Sequence, residues 1–213
     1  MMENISKESL KRLPSYLRYL TELIEKGVTS VSSNMVAEYF GFTAIQVRKD
    51  LASVSKNGGK PKTGFDIADL IFDIKEYLGY DNINEAVLVG VGKLGSAILT
   101  YKGFDVYGLK IVSAFDVNEE LIGSTQGTTK VLPLEKLERI VSSMNIHIGI
   151  ITTPKAVAQD VANTLVKAGA LAIWNFAPTH LVLPPDIIVK NEDLSASLAL
   201  LSNKLNQKLL SDK

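Results

Sequence analysis

Residues 87–104 read "VLVGVGKLGSAILTYKGF": a short apolar run, then Gly90-x-Gly92-x-x-Gly95, then a helical pattern. An apolar strand that ends in a glycine turn and opens a helix is the sequence form of a dinucleotide cradle. Gly90 makes the turn, Gly92 lets the backbone approach a pyrophosphate, and Gly95 lets helix and strand pack closely. The cradle then spans Gly90, Val91, Gly92, Lys93, Leu94 and Gly95, with free N–H groups and the positive end of a helix dipole facing the anion. The same glycines would also serve a tight strand-to-helix turn that holds no ligand. Asp116 argues for the ligand. It closes the next apolar run, "KIVSAFD", 21 positions after Gly95, near the spacing of a carboxylate that accepts ribose hydroxyls. It repels a 2′-phosphate, and the "VNEE" that follows brings no arginine, so NADH and NAD+ are favoured over their phosphorylated forms. A helix cap or turn residue is the other role open to Asp116.

Outward from this stretch, strands alternate with helices from residue 85: "EAVLVG", the helix after Gly92, "KIVSAFD", a helix near "PLEKLERIVSSM", "IHIGIIT", "PKAVAQDVANTLVKAG" and "LAIWNF". Such alternation predicts a parallel sheet with helices on both faces, an α/β class of dinucleotide-binding (Rossmann) type. A last helix, over 193–210, carries Leu194, Leu198, Leu201 and Leu205 as an apolar stripe.

Upstream the pattern differs. Leu10, Leu13, Leu17, Leu20 and Ile24 recur at spacings of three and four, one face of a helix that ends near Gly27. Pro14 implies either a fresh start there or a bend. "SSNMVAEYF" reads as a serine-capped second helix closed by Gly41. Thr43 and Gln46 have capping-box spacing for a third, "TAIQVRKDLASV". Its buried stripe is Ala44, Val47, Leu51 and Val54, and its outward arc holds Ile45, Gln46, Arg48, Lys49, Ala52 and Ser53. The dense turn chemistry of "SKNGGKPKTGF" predicts a basic β-hairpin or loop with Lys60 and Lys62. Three short helices followed by a basic hairpin make a winged helix-turn-helix. "DIADLIFDIKEYLGY" then supplies a linking helix, with Ile67, Leu70, Ile71, Ile74 and Leu78 on one side. The expected organisation is 1–80 winged helix with linker, 81–190 Rossmann domain, and 191–213 terminal helix.

Charge follows the same division. The chain of 213 residues is formally neutral, but residues 1–65 hold ten Lys/Arg against six Asp/Glu, a net +4, and the rest holds 13 against 17, a net −4. A basic first part fits a polyanion partner, and solvated surface charge accounts for it equally well. The sequence has no cysteine, which excludes disulfides, thiolate metal sites and cysteine nucleophiles. No metal site is expected. No apolar run approaches a membrane span, so the expectation is a cytoplasmic protein without a membrane partner.

A nicotinamide dehydrogenase needs a proton-transfer group beside the hydride acceptor. His147, inside "IHIGIIT", reads as a core or sheet-surface residue. His180, in "APTHLVLPP", has no carboxylate close in sequence to orient it, and no Tyr-x-x-x-Lys pair is present. About 130 residues remain beyond the winged helix, too few for a separate substrate domain. Binding without turnover is the economical reading.

The chain resembles the redox-sensing transcriptional repressor family, Rex, over essentially its whole length. The resemblance rests on "RLPSYLRYL", "VTSVSSNMVAEYFGFTAIQVRKDL", "LVGVGKLGSAILTYKGF", "AFDVNEELIG", "ITTPKAVAQDVANTLVKAG" and "NFAPTHL". It implies a homodimer whose winged helix binds palindromic operator DNA and whose Rossmann domain reads the NADH/NAD+ ratio, NADH releasing the DNA. It also implies a domain-swapped terminal helix. Without a partner, the leucine stripe would pack on its own domain.

By resemblance, Thr152, Thr153 and Pro154 lie near the pyrophosphate or nicotinamide, Phe176 and Pro178 line the nicotinamide end, and Leu194 enters from the partner. Phe176 could equally be ordinary core. Arg18, Tyr101 and Asp193 match the family's switch network. By residue type alone they read as a surface arginine, a core tyrosine and a helix cap. "TAIQVRKDL" corresponds to the recognition helix, in which Thr43, Ile45, Gln46, Arg48 and Lys49, with Lys60 and Lys62 of the wing, face DNA. The wing departs from the family: an aromatic-rich "SYFG" and Arg-Gly-x-Gly-Tyr are replaced by "SVSKNGGKPKTGF", which leaves the operator sequence open. Two other readings stand beside the sensor: a small NAD-dependent oxidoreductase with a fused regulatory DNA-binding module, and a DNA-binding protein whose nucleotide site has lost affinity.

Overall fold

The computed structural model describes residues 5–61, 63–80 and 84–211. The chain divides into two compact units, Met1–Asn82 and Ile83–Lys213. The first opens with α1 (Lys7–Glu25), capped by the Ser6 hydroxyl, which accepts from the Ser9 N–H. Pro14 lies inside this helix, so the chain makes no fresh start there. Leu13, Tyr16, Leu17 and Leu20 bury themselves on both sides of it. That burial outweighs a proline cost of about 3 kcal/mol in a helix interior. The ends of the predicted stripe, Leu10 and Ile24, are exposed.

After β1 (Ser30–Val31), α2 (Ser33–Phe40) and α3 (Ala44–Val54) form the helix-turn-helix, with Gly41 left-handed at the turn. Thr43 caps α3 as its spacing predicts, accepting from the Gln46 N–H at 3.2 Å, a cap that contributes about 1 kcal/mol. The predicted wing is a small hairpin: Lys60 and Gly64 exchange backbone hydrogen bonds of 2.7 and 2.9 Å. The chain then returns through β2 (Phe65–Asp66), antiparallel to β1. α4 (Ile67–Leu78) buries Ile67, Leu70 and Ile74 in this unit's core, alongside α1 residues Leu13 and Leu17. The predicted linker is therefore a structural helix.

The second unit follows the βα alternation of the sequence. Its elements are β3 (Asn84–Val89), α5 (Lys93–Thr100), a 3-10 helix (Lys102–Tyr107), β4 (Leu109–Asp116), β5 (Thr125–Gln126), β6 (Thr129–Pro133), α6 (Leu137–Ser143), β7 (Ile148–Ile151), α7 (Lys155–Lys167), β8 (Ala172–Asn175), β9 (Ile188–Asn191) and α8 (Leu194–Ser211). Among the described residues the sheet has seven strands in the order β5-β6-β4-β3-β7-β8-β9. All neighbours are parallel except the β5–β6 hairpin. The hairpin and β9 carry little apolar signal, and the sequence pattern does not predict them. Alternate residues feed the two faces: Val87, Val89, Phe115 and Ile151 one core, and Ala86, Leu88, Ala114 and Ile150 the other. Strand order reverses at β3/β7, so the crevice at the C-terminal ends of these strands is where an open α/β sheet takes a ligand.

α8 differs from every other described helix. Leu198, Leu201 and Leu205 are exposed, as are Leu209 and Leu210, so the stripe does not pack on its own unit. No helix among the described residues is long and apolar enough to cross a membrane.

Candidate dinucleotide crevice and nucleic-acid face

The crevice is built from the ends of three strands. β3 runs into Gly90, whose N–H donates to the Phe115 carbonyl of β4 at 2.8 Å. Gly90 has φ 98, a left-handed backbone, and a Cβ there would meet Thr152 and Thr153 backbone atoms at 2.9 Å. A Cβ on Gly95 would stand 2.0 Å from the Gly90 carbonyl oxygen. The turn and the first turn of α5 are thus in contact through hydrogen-sized side chains. Gly92, the N-cap of α5, has nothing within 4 Å of where a Cβ would be. Two of the three glycines answer to packing, and the third faces open space at the start of α5. Lys93 and Leu94 are exposed on the first turn of α5.

Asp116 closes the β4 side. Its Oδ2 accepts from the Val91 N–H at 2.5 Å and its Oδ1 from the Asn118 N–H at 2.8 Å. The carboxylate is therefore held against the glycine turn, where a ribose would be. On the β7 side, the Thr152 hydroxyl donates to the Gly90 carbonyl at 2.6 Å, locking the two loops together. The Thr153 hydroxyl beside it is buried and has no hydrogen-bond partner among the described residues. A buried, unsatisfied hydroxyl costs roughly 1–3 kcal/mol, and this one lies on the loop packed against the Gly90 turn. Pro154 caps α7 on the same loop. Glycine cradle, carboxylate and unpaired hydroxyl together fit a dinucleotide.

Farther along the crevice, Phe176 is half-buried and borders a cavity of about 570 Å³ with Pro178, His180, Asn191 and Asp193. The loop is fixed by Asn175, fully buried, whose side chain donates to the Ala177, Thr179 and Asn191 oxygens and accepts from the Ala177 N–H. Sequence reasoning passes over Asn175; an amide at the end of an apolar strand is its one signal. His180 is exposed and does share its cavity with a carboxylate, Asp193, which sequence distance conceals. His147 is neither core nor strand: it precedes β7, exposed, at the N-terminal end of the sheet and so opposite the crevice.

Of the proposed switch residues, Tyr101 is 56% exposed, which removes the reading of a core tyrosine; its ring meets Phe104 edge-on at 4.9 Å. Asp193 caps α8, its Oδ1 accepting from the Ser195 N–H, the Ser195 hydroxyl and the Ala196 N–H. These hydrogen bonds, led by the Ser195 hydroxyl, hold its carboxyl below the usual range. Arg18 is an exposed side chain of α1. The side chain of Leu194, and Lys62 of the wing, lie outside the described residues.

On the first unit, α3 presents Ile45, 79% exposed, with Arg48 and Lys49 exposed and Gln46 half-buried. Thr43 is exposed at its start and Lys60 on the wing. The opposite face carries what periodicity misses. Asp50, 2% exposed on the apolar stripe, takes a bidentate pair from Arg12 at 2.7 and 2.8 Å and the Tyr16 hydroxyl at 2.9 Å. Burial pushes the Asp50 carboxyl up, and the hydrogen bonds, led by Arg12, outweigh it and hold the group below the usual carboxylate range. Burial also pushes the Tyr16 phenol up, so it stays a donor. Arg12 lies over the Phe42 ring at 5.7 Å. The network pins α3 to α1 on the side opposite Ile45, Arg48 and Lys49.

Comparison with known proteins agrees with both parts. Residues 81–179 match the family described as "CoA binding domain", and residues 4–52 the family described as "Putative DNA-binding protein N-terminus". The redox-sensing transcriptional repressor Rex of Carboxydothermus hydrogenoformans is 43% identical over 93% of this chain and 95% of its own length. That of Clostridium beijerinckii is 40% identical over 96% and 97%. The crystal structure of RSP with β-NAD+ and operator DNA is similar at a TM-score of 0.87, with 36% identity over 98% of this chain and 96% of that one. RSP with β-NADH gives 0.84, with 37% identity over 98% and 97%.

Proposed function

The chain belongs to the Rex family of redox-sensing transcriptional repressors, and from that premise we infer how its parts divide the work. It is a DNA-binding transcriptional repressor that senses the NADH/NAD+ ratio through the second unit and binds operator DNA through the first. Its relatives are repressors rather than enzymes, and the ligand acts as a signal: it shifts an equilibrium between two arrangements by binding one better than the other.

In this reading the Gly90–Gly95 turn and the α5 N-terminus take the pyrophosphate, Asp116 the adenosine ribose, and Thr152, Thr153 and Pro154 the far phosphate or the nicotinamide. Phe176 and Leu194 of the partner subunit close the nicotinamide end. The ligand supplies no chemistry here beyond its shape and the charge difference between its oxidised and reduced forms. Arg48 and Lys49 meet phosphates or guanine edges, Gln46 an adenine or phosphate, and Ile45 a thymine methyl, with Thr43, Lys60 and Lys62 flanking. The protein acts as a cytoplasmic homodimer on a palindromic site, with α8 swapped between subunits and its leucine stripe buried there. Residues 1–80, 81–190 and 191–213 are its functional divisions. Arg18, Tyr101 and Asp193 exchange charge-assisted hydrogen bonds between the DNA-bound and NADH-bound states.

The observation that carries this reading is the open cradle with its unpaired Thr153 hydroxyl, in a chain whose other unit exposes a basic helix. Fluorescence anisotropy of a labelled palindromic operator, titrated with NADH and separately with NAD+ at fixed salt, tests it. Release by NADH and far less by NAD+ is expected. Binding that ignores both dinucleotides would sink the sensing mechanism, and steady-state NADH turnover would return the oxidoreductase.

A further inference from the structure

Trp174 is the single tryptophan of the chain, half-buried in β8, and it touches three separate parts of the second unit. Its indole meets the Phe176 ring at 4.9 Å and the Phe104 ring, edge-on, at 5.6 Å. Its Nε1–H donates to Glu192 Oε1 at 2.9 Å. Phe104 leads on to Tyr101. Glu192 immediately precedes Asp193, the cap of α8, and the same Oε1 lies 3.4 Å from Lys190 Nζ. An apolar side chain would satisfy the sheet at this position. An indole brings an N–H that must find an acceptor, and the acceptor it finds is the carboxylate next to the terminal helix.

We propose that Trp174 is a positioning residue of the sensor: through its hydrogen bond to Glu192 it carries occupancy of the nicotinamide end of the crevice to the start of α8. The inference rests on the sensor reading above and specifies its route. Phe176 borders the cavity; a ligand that shifts its ring presses on a close-packed neighbour, because packed interiors transmit strain. That neighbour is the indole, and the direction of its N–H sets Glu192 and with it the adjoining cap. The rings of Phe104 and Tyr101 form a second arm from the same side chain.

The test uses the full-length protein, a palindromic operator duplex selected for it, and NADH. The quantity read is the ratio of DNA affinities without and with saturating NADH, which is unaffected by any change that scales both affinities equally. Trp174→Phe keeps the rings and removes the donor; Glu192→Ala removes the acceptor from a surface-accessible position. Each is expected to shrink the ratio by about two- to thirtyfold, and the double variant to shrink it no further than either single. Glu192→Gln, whose amide oxygen still accepts, is expected to keep the ratio, which ties the loss in Glu192→Ala to the hydrogen bond rather than to the carboxylate's charge and its pairing with Lys190. Unchanged ratios in both single variants, additive losses in the double, or a loss in Glu192→Gln equal to that in Glu192→Ala would each overturn the proposal. A wild-type protein whose DNA affinity ignores NADH overturns the sensor reading and this route with it; a responsive wild type with unresponsive variants sustains both.

Discussion

Behind the recognition helix, Asp50 is buried with three hydrogen bonds from two side chains, and Asp73 of α4 is buried accepting from the Lys56 N–H at 2.8 Å. In the crevice of the second unit, the half-buried Thr153 has a buried hydroxyl oxygen with no partner among the described residues. The contrast separates two ways of building a functional surface. A polar network that is fully satisfied rigidifies its element, so α3 is a finished shape before any partner arrives, and in the proposed role it offers DNA the groups on its outer face. A site left one hydrogen bond short is stabilised by whatever brings the missing partner, and in the proposed role the crevice is where the dinucleotide does so.

The largest effect tests the finished side. Replacing Asp50 with Ala leaves the Arg12 guanidinium, whose side chain is 17% exposed, without its partner. Loss of one member of such a buried pair costs about 3–5 kcal/mol. Urea unfolding should show this in the first unit, with NADH binding by the second retained. The same pair gives the pH dependence a sign. The Asp50 carboxyl lies below its ordinary range when folded, so its contribution is complete above that range. It is lost as pH falls through the ordinary carboxylate values toward the lowered one. The Asp50→Ala protein should therefore lose less stability on acidification than the parent. Equal acid sensitivity of the two would remove the network from the account.

Next in size is Gly95→Ala, which sets a Cβ 2.0 Å from the Gly90 carbonyl oxygen. The turn must move, at an overpacking cost of about 1–3 kcal/mol, and the cradle moves with it. Calorimetry should find NADH binding abolished while operator binding persists and no longer responds to NADH. Retained NADH affinity would mean that the glycines serve the turn alone.

These two sites are unequally legible in the sequence. Gly90, Gly92, Gly95 and Asp116 can be found because a cradle is local: a strand, a turn and a helix in consecutive residues, with the carboxylate one strand on. The Thr43 cap and the outward arc of α3 are local for the same reason. Asp50 is hidden because its partner is 38 residues away, and helical periodicity assigns carboxylates to the wet face. One sign exists: Asp50 sits three residues after Val47 and four before Val54, in register with the apolar stripe. β9 and the β5–β6 hairpin escape notice because short edge strands need few apolar residues. The leucine stripe of α8 is visible, but a pattern of apolar residues does not say which surface they meet, and here it is not their own unit.

Thr153→Val sharpens the comparison with a smaller effect of two opposite signs. Valine has nearly the same shape, so it removes an unsatisfied buried hydroxyl without a cavity. The ligand-free protein should gain about 1 kcal/mol of stability, raising its melting temperature, while NADH affinity falls. At Asp50 the corresponding removal of a polar group destabilises. If Thr153→Val instead destabilised the free protein and left NADH binding unchanged, the hydroxyl would have a structural partner and the crevice would be as finished as the winged helix.

The smallest effect on stability belongs to Arg48→Ala. Arg48 lies on the exposed arc of α3, away from the Asp50 network, and a surface substitution of this kind stays within about ±0.5 kcal/mol. Its consequence is electrostatic. Removing one cation from a DNA phosphate reduces the steepness of log affinity against log salt by about 0.9, so operator titrations over a range of salt concentrations should give a line shallower than the parent's by that amount. If Arg48 reads a guanine edge instead, the slope stays and discrimination between operator and mismatched duplex falls by roughly 1–3 kcal/mol. Either result assigns the residue to one kind of interaction, because backbone neutralisation and base reading leave different signatures. In neither case should NADH affinity change in the absence of DNA, since Arg48 and the crevice belong to different compact units. A variant with unaltered slope, affinity and discrimination would remove Arg48 from the DNA face.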